Sequence, residues 1–456
     1  MRIRSGYAGL LIALAAPSLV QAQQRPAIRP IGAVVAKATE PFSGINGVRQ
    51  LSDGRVLVND IAKRRVLMFD PSLGTFTVIA DSTSATANAY SGRFGGIIAY
   101  KGDSTIFVDP TSLSMLVIDG SGKVARVMSV PRSQDAGALA IGNSTLDAAG
   151  RLVYRAPPNF RGPNFANGVP TAPDIPDSAA IVRIDLTTRK LDTAGFIKTP
   201  KIKFDISRDD NGGVRVQTQT NPLPIIDDWA VLPDGSIAFV RGHDYHVDYV
   251  NPDGTKTSAA KIPFEWQRMT DDDKVAFLDS LKAARARLGT NAPTIGFGGG
   301  GAGGGAPQMV IVGGPAGAGT GDRAAREGAA GAVRDGGAPR GDAGNIRING
   351  PGGGPAGNVQ LNFVPASELP DYKPPFFGGS VRADTEGNLW IRTIPTKAIP
   401  GGPVYDVINR KGELVERVQL PENRTIVGFG AGGTAYLSVR ESPTATSVYL
   451  ERVKVR

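Results

Sequence analysis

A glycine turn between two short β-rich runs recurs along this chain at a nearly constant interval. The marker glycines are Gly54, Gly102, Gly150, Gly235, Gly387 and Gly433. Their spacings are 48, 48, 85, 152 and 46 residues, and the two long ones equal one period of 48 plus insertions of 37 and 104 residues. Each copy contains about four short strands, and a four-stranded sheet that is apolar on both faces must bury them against neighbours. The pattern predicts an all-β, six-bladed β-propeller of antiparallel blades, and it favours this fold over a sandwich of irregular hairpins.

Two of the turns carry a resemblance to a known group of proteins. Leu-Ser-Asp-Gly54-Arg-Val-Leu-Val and Asp-Thr-Glu-Gly387-Asn-Leu-Trp390 resemble the turn-plus-strand motif of six-bladed propellers of the NHL, TolB-like and gluconolactonase-like superfamily. The resemblance covers most of residues 31–265 and 366–456, and it implies an exported bacterial propeller of unassigned activity. Gluconolactonase-like propellers bind a divalent metal through channel carboxylates and Asn, but no spacing selects such a set among Asn59, Asp109, Asp228 and Glu386.

The two ends of the chain suggest how the ring closes. After Gly433 the sequence supplies only about one further strand, Ser447 to Val455, so the last blade lacks its outer strand. The segment 31–38 precedes the first unit and has the composition of a strand. We expect it to complete the last blade, because this pairing would leave no unpaired edge there.

The domain boundaries follow from composition. Residues 1–22 have a basic start, an apolar run and a small-residue cleavage site, which predicts a signal peptide and therefore a periplasmic or secreted protein. An uncleaved anchor is the alternative, and the mature chain has no other stretch of membrane length. Blades 1–4 then occupy 23–265, and blades 5 and 6 occupy 366–456.

Two elements interrupt the propeller between its fourth and fifth blades. Residues 266–290 predict a helix from Met269 to Leu288, which is capped by Thr270 and Asp273. Its apolar stripe consists of Phe277, Leu281, Ala284 and Leu288. The helix either packs on the propeller through this stripe or serves as a lid or partner-binding helix. Residues 291–365 form a Gly-rich insertion, and its part 296–357 has 24 glycines in 62 positions. This composition predicts disorder, because it buries too little apolar area to offset backbone entropy.

Candidate binding residues lie where second strands leave the blades. The long insertions 156–178, 198–226, 262–378 and 393–403 all belong to the face opposite the glycine turns, and function tends to sit on such loops. Strand exits on this face carry Asp60, Asp109, Arg155, Arg241, Arg392 and Arg440. We predict a mostly cationic ring there, suited to carboxylate or phosphate. The competing interpretation pairs these arginines with Asp60, Asp109, Asp227 and Asp228 as structural cross-links.

Catalytic signatures are sparse. The chain has no Cys and only two His, His243 and His246, which lie on the same face. They are candidates for ligand binding, metal binding or acid–base chemistry, and the alternative is that they are ordinary loop residues. No nucleophile elbow, phosphate-binding loop or zinc helix motif occurs, and the sequence selects no cofactor.

The first interpretation is an exported, non-catalytic binding protein that takes a peptide, a glycan or a small anionic ligand on its long-loop face. The alternatives are a metal-assisted hydrolase, lactonase or lyase on the same face, and a cell-envelope interaction scaffold. We expect a monomer that binds no nucleic acid, because no basic block is dense enough for it.

Overall fold

The computed structural model describes residues 25–83, 90–92, 94–157, 165–166, 169–170, 175–208, 214–288, 362–397, 399–442 and 445–455. Its strands form six principal sheets, of which five contain four strands and one contains five. The predicted six-bladed propeller is therefore confirmed. The predicted signal peptide 1–22 and the Gly-rich part 296–357 lie outside the described residues.

Two short strands precede the first blade. They are β1 (Ile28–Pro30) and β2 (Val34–Lys37). Blade 1 contains β3 (Ile45–Gln50), β4 (Val56–Asp60), β5 (Arg65–Phe69) and β6 (Phe76–Asp81). Blade 2 contains β7 (Gly96–Ala99), β8 (Thr105–Asp109), β9 (Ser114–Ile118) and β10 (Val124–Ser129). In both blades, consecutive strands pair antiparallel from the inner strand outward.

Blades 3 and 4 carry the additions in the first half of the chain. A short helix, α1 (Ala136–Ile141), leads into blade 3. Blade 3 begins with β11 (Thr145–Leu146) and β12 (Leu152–Arg155). A small hairpin follows, made of β13 (Phe165–Ala166) and β14 (Val169–Pro170). Blade 3 ends with β15 (Ser178–Ile184) and β16 (Leu191–Lys198), and a second hairpin comprises β17 (Lys203–Arg208) and β18 (Val214–Thr220). Blade 4 contains β19 (Asp228–Val231), β20 (Ile237–Arg241), β21 (His246–Val250) and β22 (Lys256–Ser258).

The second half of the chain begins with the long helix and ends with the last two blades. The helix is α2 (Asp271–Leu288), and the short strand β23 (Asn362–Phe363) follows it. Blade 5 contains β24 (Phe376–Ala383), β25 (Leu389–Thr393), β26 (Val404–Ile408) and β27 (Leu414–Gln419). Blade 6 contains β28 (Arg424–Gly430), β29 (Thr434–Val439) and β30 (Tyr449–Lys454).

The core consists of six hydrophobic clusters, and each of them spans two neighbouring blades. The cluster that joins the last blade to the first packs Tyr436 and Leu450 against Val58 and Phe69, all fully or nearly fully buried. Because the blades are covered on both faces, second strands such as β4 are buried at every position. The chain therefore forms a closed ring.

The N-terminal segment seals this ring. Strand β2 pairs antiparallel with β30, with Val34 opposite Val453 and Lys37 opposite Glu451, which confirms that segment 31–38 supplies the outer strand of the last blade. Strand β1 was not predicted, and it pairs in parallel with β27 as a fifth strand of blade 5. The N-terminal segment thus covers the outer edges of two adjacent blades.

Two further features differ from the sequence-based expectation. Helix α1 lies between blades 2 and 3, and most of its residues are buried in the cluster between those blades, so the inner strand of blade 3 is reduced to β11. The predicted insertion boundary at residue 365 is wrong, because β23 pairs with Thr220 of β18 and Val364 is buried. Strand β23 completes an accessory three-stranded sheet with β17 and β18, and Val364 follows it directly.

Helix α2 begins as the sequence predicts. The Thr270 N–H donates to the Asp273 carboxylate at 2.9 Å, and the Asp273 N–H donates to the Thr270 hydroxyl at 3.2 Å, which is a reciprocal capping box. The buried side overlaps the predicted stripe: Leu278 is buried against Val364, and Phe277 packs on the same cluster. Lys274 is also buried, whereas the side chains of Ala284 and Leu288 lie outside the described residues. The helix therefore rests on the segment after β23, and among the described residues no helix is long and apolar enough to span a bilayer.

Candidate functional site

The long connections lie on the predicted face. In each blade the glycine turn joins the inner strand to the second strand, so the connections from second to third strand and from blade to blade leave the opposite end. These include residues 156–177 after β12, 259–375 after β22 and 394–403 after β25. We call this end the long-loop face, and each predicted site residue is located on it below.

Asp60 and Asp109 are buried and serve the turns beside them. The Asp60 carboxylate accepts a hydrogen bond from the Gly44 N–H at 3.0 Å and pairs with Arg65 at 3.3 Å. The Asp109 carboxylate accepts from the Thr111 N–H at 3.1 Å. Burial of a carboxylate requires such partners. These two side chains therefore stabilise blades 1 and 2, and they do not enter the site proposed below.

Arg241 is a structural cross-link, as the competing interpretation holds. Its Nε donates to Asp248 at 2.8 Å, and its Nη1 donates to Asp227 at 2.8 Å and to the carbonyl oxygen of Phe196 at 2.9 Å. Phe196 belongs to the outer strand of blade 3, whereas both carboxylates belong to blade 4 or the segment entering it. The guanidinium group thus joins two blades.

The two histidines have different surroundings. His243 is exposed, whereas His246 is partly buried between two carboxylates, with Nδ1 at 2.7 Å from Asp244 and Nε2 at 3.2 Å from Asp248. Within the described ranges, no three His, Asp or Glu side chains form a group arranged to hold a metal ion. A catalytic or ligand-binding role for either histidine stays a prediction.

Arg392 and Arg440 occupy the long-loop ends of blades 5 and 6. Arg440 follows β29, and its backbone N–H donates to the carbonyl oxygen of Asn423 at 3.0 Å. Arg392 is exposed on β25 and lies opposite Tyr405. The charge of Arg392 acts on the buried Tyr405 hydroxyl, which also accepts a hydrogen bond from the N–H of Ile426 at 3.3 Å. Arg392 is therefore an exposed charge at the long-loop end of blade 5.

A buried carboxylate joins the inner strands of blades 4 and 5. Asp228, the first residue of β19, is 5% exposed. Its Oδ1 accepts from the N–H of Trp229 at 2.9 Å, and its Oδ2 accepts from the N–H of Val381 at 3.0 Å. Val381 follows the bulge that shifts the register of β24 after Phe376. The bulge thus presents backbone donors to a carboxylate on the neighbouring blade.

Two arginines interact electrostatically with this carboxylate. Arg155 ends β12 of blade 3 and Arg382 follows Val381 on β24, and the charge of Asp228 acts on both guanidinium groups. Neither guanidinium makes an ion pair or hydrogen bond with any residue that the structure describes, and the buried Nε of Arg155 is without a partner there. We call Arg155, Asp228 and Arg382 the channel cluster.

The electrostatics of the channel cluster are dominated by burial. Burial raises the pKa of Asp228 to about 6, although hydrogen bonds from Val381, Trp229 and Ser380 and the charge of Arg382 oppose the shift. Burial also lowers the pKa of Arg155 and of Arg382. Both guanidinium groups nevertheless keep their charge at neutral pH, because arginine is not deprotonated in proteins. The cluster therefore carries an excess of positive charge.

Arg382 was not predicted from the sequence, because the candidates were residues at the ends of second strands and Arg382 lies on an inner strand. A signal was present in Val-Arg-Ala, where a charged residue interrupts an inner strand just before its glycine turn. Of the predicted arginines, Arg155 belongs to the channel cluster, and Arg241 is engaged between blades. Arg392 is exposed, and its charge acts on Tyr405, as does that of Arg382.

Comparisons with known proteins bear on this fold. No protein-family model and no curated protein sequence matches the chain. Among solved structures, a gluconolactonase from Xanthomonas campestris is 12% identical with a TM-score of 0.37, over 93% of this chain and 99% of that one. The calcium-binding protein regucalcin from Agrobacterium tumefaciens is 11% identical with a TM-score of 0.33, over 94% and 98% of the two chains.

A virginiamycin B lyase from Staphylococcus aureus is 13% identical with a TM-score of 0.26, over 49% of this chain and 71% of the lyase. Likenesses at these identities and TM-scores carry no argument about activity. The class of the protein, a six-bladed β-propeller closed by its own N-terminal strand, rests on the strand pairing described above.

Proposed function

We propose that the propeller binds a small organic anion, carrying a carboxylate or phosphate group, at the channel cluster. One observation carries the proposal: the charge of a single carboxylate acts on both Arg155 and Arg382, and neither has a hydrogen-bonding partner within the described residues. Both arginines are half-buried, and the Nε of Arg155 is a buried donor without an acceptor. An unpaired donor of this kind is unfavourable, and a bound anion would supply the missing acceptors.

The state of Asp228 strengthens this argument. Its two oxygens already accept backbone hydrogen bonds, at 2.9 and 3.0 Å, and they make no salt bridge with either arginine. The carboxylate therefore offsets part of the positive charge at a distance but leaves the N–H groups of both guanidiniums unused. A planar or tetrahedral oxyanion matches these donors in geometry and charge.

The proposed setting is outside the cytoplasm, and the pattern of residues 1–22 supports it. The same anionic group occurs at the C-terminus of a peptide and on acidic glycans. The proposed binding site therefore accepts these larger ligands when their charged end enters the channel mouth.

Isothermal titration calorimetry with citrate and with inorganic phosphate at pH 7 tests the proposal. We expect binding to the mature protein, and a loss of roughly tenfold or more in affinity for each of Arg155→Gln and Arg382→Gln, the loss expected for a charge-assisted hydrogen bond. Arg126→Gln is the matched control, because Arg126 lies on the outer strand of blade 2 beside Tyr100. Equal affinities in all three variants contradict the proposed site.

Catalysis at the same place, by a metal-assisted hydrolase, lactonase or lyase, is the second candidate. The observation that favours it is the raised pKa of Asp228, about 6, because proton-transferring groups have pKa values near the working pH. Proton release from gluconolactone, measured with and without Ca²⁺, tests this candidate. Turnover that Asp228→Asn abolishes supports it, and a rate equal to the uncatalysed one rejects it for this substrate.

A further inference from the structure

A cleft of about 480 Å³ opens between blades 3 and 4, away from the channel cluster. Ala194 and Gly195 of β16 line it on one side and Asp248, Lys256 and Ser258 of blade 4 on the other, while the Phe239 ring beneath them is 1% exposed. The volume lies within the range of small-molecule sites, roughly 300–1,000 Å³. None of these residues belongs to the site proposed above.

Small residues of β16 let this strand pack directly on the Phe239 ring. A Cβ atom added to Gly195 would lie 2.7 Å from the Phe239 ring, so no larger residue fits there without displacing the ring. Ala194 is the bulged residue at which the register of β15 and β16 shifts, and it adds only a methyl group. Further out along β16, the Phe196 side chain is 60% exposed at the cleft. The aromatic surface that a ligand can reach in the cleft is therefore the Phe196 ring.

The charged groups of the cleft include unused donors. Asp248 is saturated, because it accepts from Arg241 at 2.8 Å, lies 3.2 Å from His246 and accepts from the Ser258 hydroxyl. Arg241 uses Nε and Nη1 in its hydrogen bonds, but its Nη2 makes none within the described part of the chain. The exposed Lys256 ammonium likewise makes no ion pair there.

We propose that this cleft is a second binding site, which takes an organic anion with an aromatic or other apolar body. The apolar body packs on Phe196, and the anionic group accepts from Arg241 Nη2 and Lys256 Nζ. Apolar packing with a few convergent polar groups is the usual composition of a small-molecule site. The requirement for an apolar body separates this ligand from the small polar anions of the channel cluster.

Fluorescence titration of the mature protein with 8-anilinonaphthalene-1-sulfonate, at pH 7 and below the temperature of unfolding, tests the proposal. This probe joins a sulfonate to an aromatic body. We expect one saturable site whose affinity falls roughly tenfold in Lys256→Glu, because an attraction is replaced by a repulsion, and is kept in Lys256→Arg. Phe196→Ser, which removes an exposed ring, weakens binding without a change in melting temperature.

Lys261→Glu is the matched control, because Lys261 is exposed, lies 3.5 Å from Asp244 and is not part of the cleft. The Lys261→Glu variant should bind the probe with the same affinity as the unaltered protein. The combined Arg155→Gln and Arg382→Gln variant should also bind the probe normally, which separates this site from the channel cluster. Absence of saturable binding, equal affinities in Lys256→Glu and Lys261→Glu, or loss of binding in the channel variant each overturns the proposal.

Discussion

Asp228 Oδ2 accepts a hydrogen bond from the N–H of Val381 at 3.0 Å, and this bond joins the inner strands of blades 4 and 5. The contact depends on the bulge of β24, which turns backbone donors toward the neighbouring blade. It also fixes the backbone just before Arg382, whose guanidinium group feels the charge of this carboxylate. The same bond therefore contributes to ring closure and to the position of the proposed anion site.

The first prediction concerns the pH dependence of stability. Burial raises the pKa of Asp228 to about 6 in the folded protein, above its usual value of 3.8. Folding thus favours the protonated carboxyl, so this group lowers the free energy of unfolding as pH rises from about 4 to about 6, and has a constant effect above that. The resulting decrease in the free energy of unfolding is on the order of 3 kcal/mol.

Urea denaturation at several pH values measures this effect as a difference between the unaltered protein and Asp228→Asn. The variant has no carboxyl at this position, so its curve should lack the decline between pH 4 and 6. Parallel curves for the two proteins would show that Asp228 titrates normally.

The second prediction concerns the cross-link between blades 3 and 4. Arg241→Met removes the ion pairs with Asp227 and Asp248, both at 2.8 Å. We expect a loss of about 2 kcal/mol in the free energy of unfolding, since the pairs are partly exposed to solvent. Citrate binding should be unchanged. Arg126→Met provides the control for loss of a rim arginine, and a stability loss of the same size in both variants would refute the cross-link.

The third prediction concerns the closing strand. A Cβ atom at Gly32 would lie 2.2 Å from the carbonyl oxygen of Lys454, a backbone atom that cannot move independently. Gly32→Val should therefore displace the N-terminal segment from the last blade and lower stability by about 2 kcal/mol or more. Gly44→Ala is the control, because its added Cβ would have no neighbour nearer than 3.5 Å. Hydrogen exchange of β30 reports the exposed edge, and unchanged protection in Gly32→Val argues against the closure.

The fourth prediction concerns the start of helix α2. Thr270→Ala removes the hydroxyl that caps the Asp273 N–H at 3.2 Å, which costs about 1 kcal/mol. Hydrogen exchange of the first turn of α2 should accelerate, whereas Thr270→Ser should retain protection. Global stability should hardly change, because the helix packs on the segment after β23 rather than within the ring. Equal exchange in the two variants would contradict the capping box.

The repeat and the closure were predictable from the sequence because each rests on a local signal. Glycines at positive φ, such as Gly54 at 86°, mark the turns, and the missing strand after Gly433 pointed to segment 31–38. Strand β1 has only three residues and pairs in parallel, so neither an alternation of apolar and polar residues nor a hairpin turn indicates it in the sequence. Helix α1 is too short to show a period, and it forms within the cluster between blades 2 and 3.

The candidate site was predictable only in part. The alignment of strand exits found Arg155 and the long-loop face, but it could not separate an arginine with partners from one without. That difference depends on neighbours distant in sequence: Arg241 meets the Phe196 carbonyl of blade 3, whereas Arg155 meets the Asp228 charge of blade 4. Arg382 depends on a bulge in β24, which the sequence pattern does not reveal.

The central claim is that Arg155 and Arg382 together hold an oxyanion, and a crystal soaked in selenate tests it most directly. Selenium gives an anomalous signal, so the position of a bound ion can be found without assumptions about the protein. The account predicts a peak within hydrogen-bonding distance of both guanidinium groups, absent from crystals of the Arg155→Gln and Arg382→Gln variant. A map without a peak at the channel cluster, with both arginines hydrogen-bonded to protein groups instead, would contradict the account.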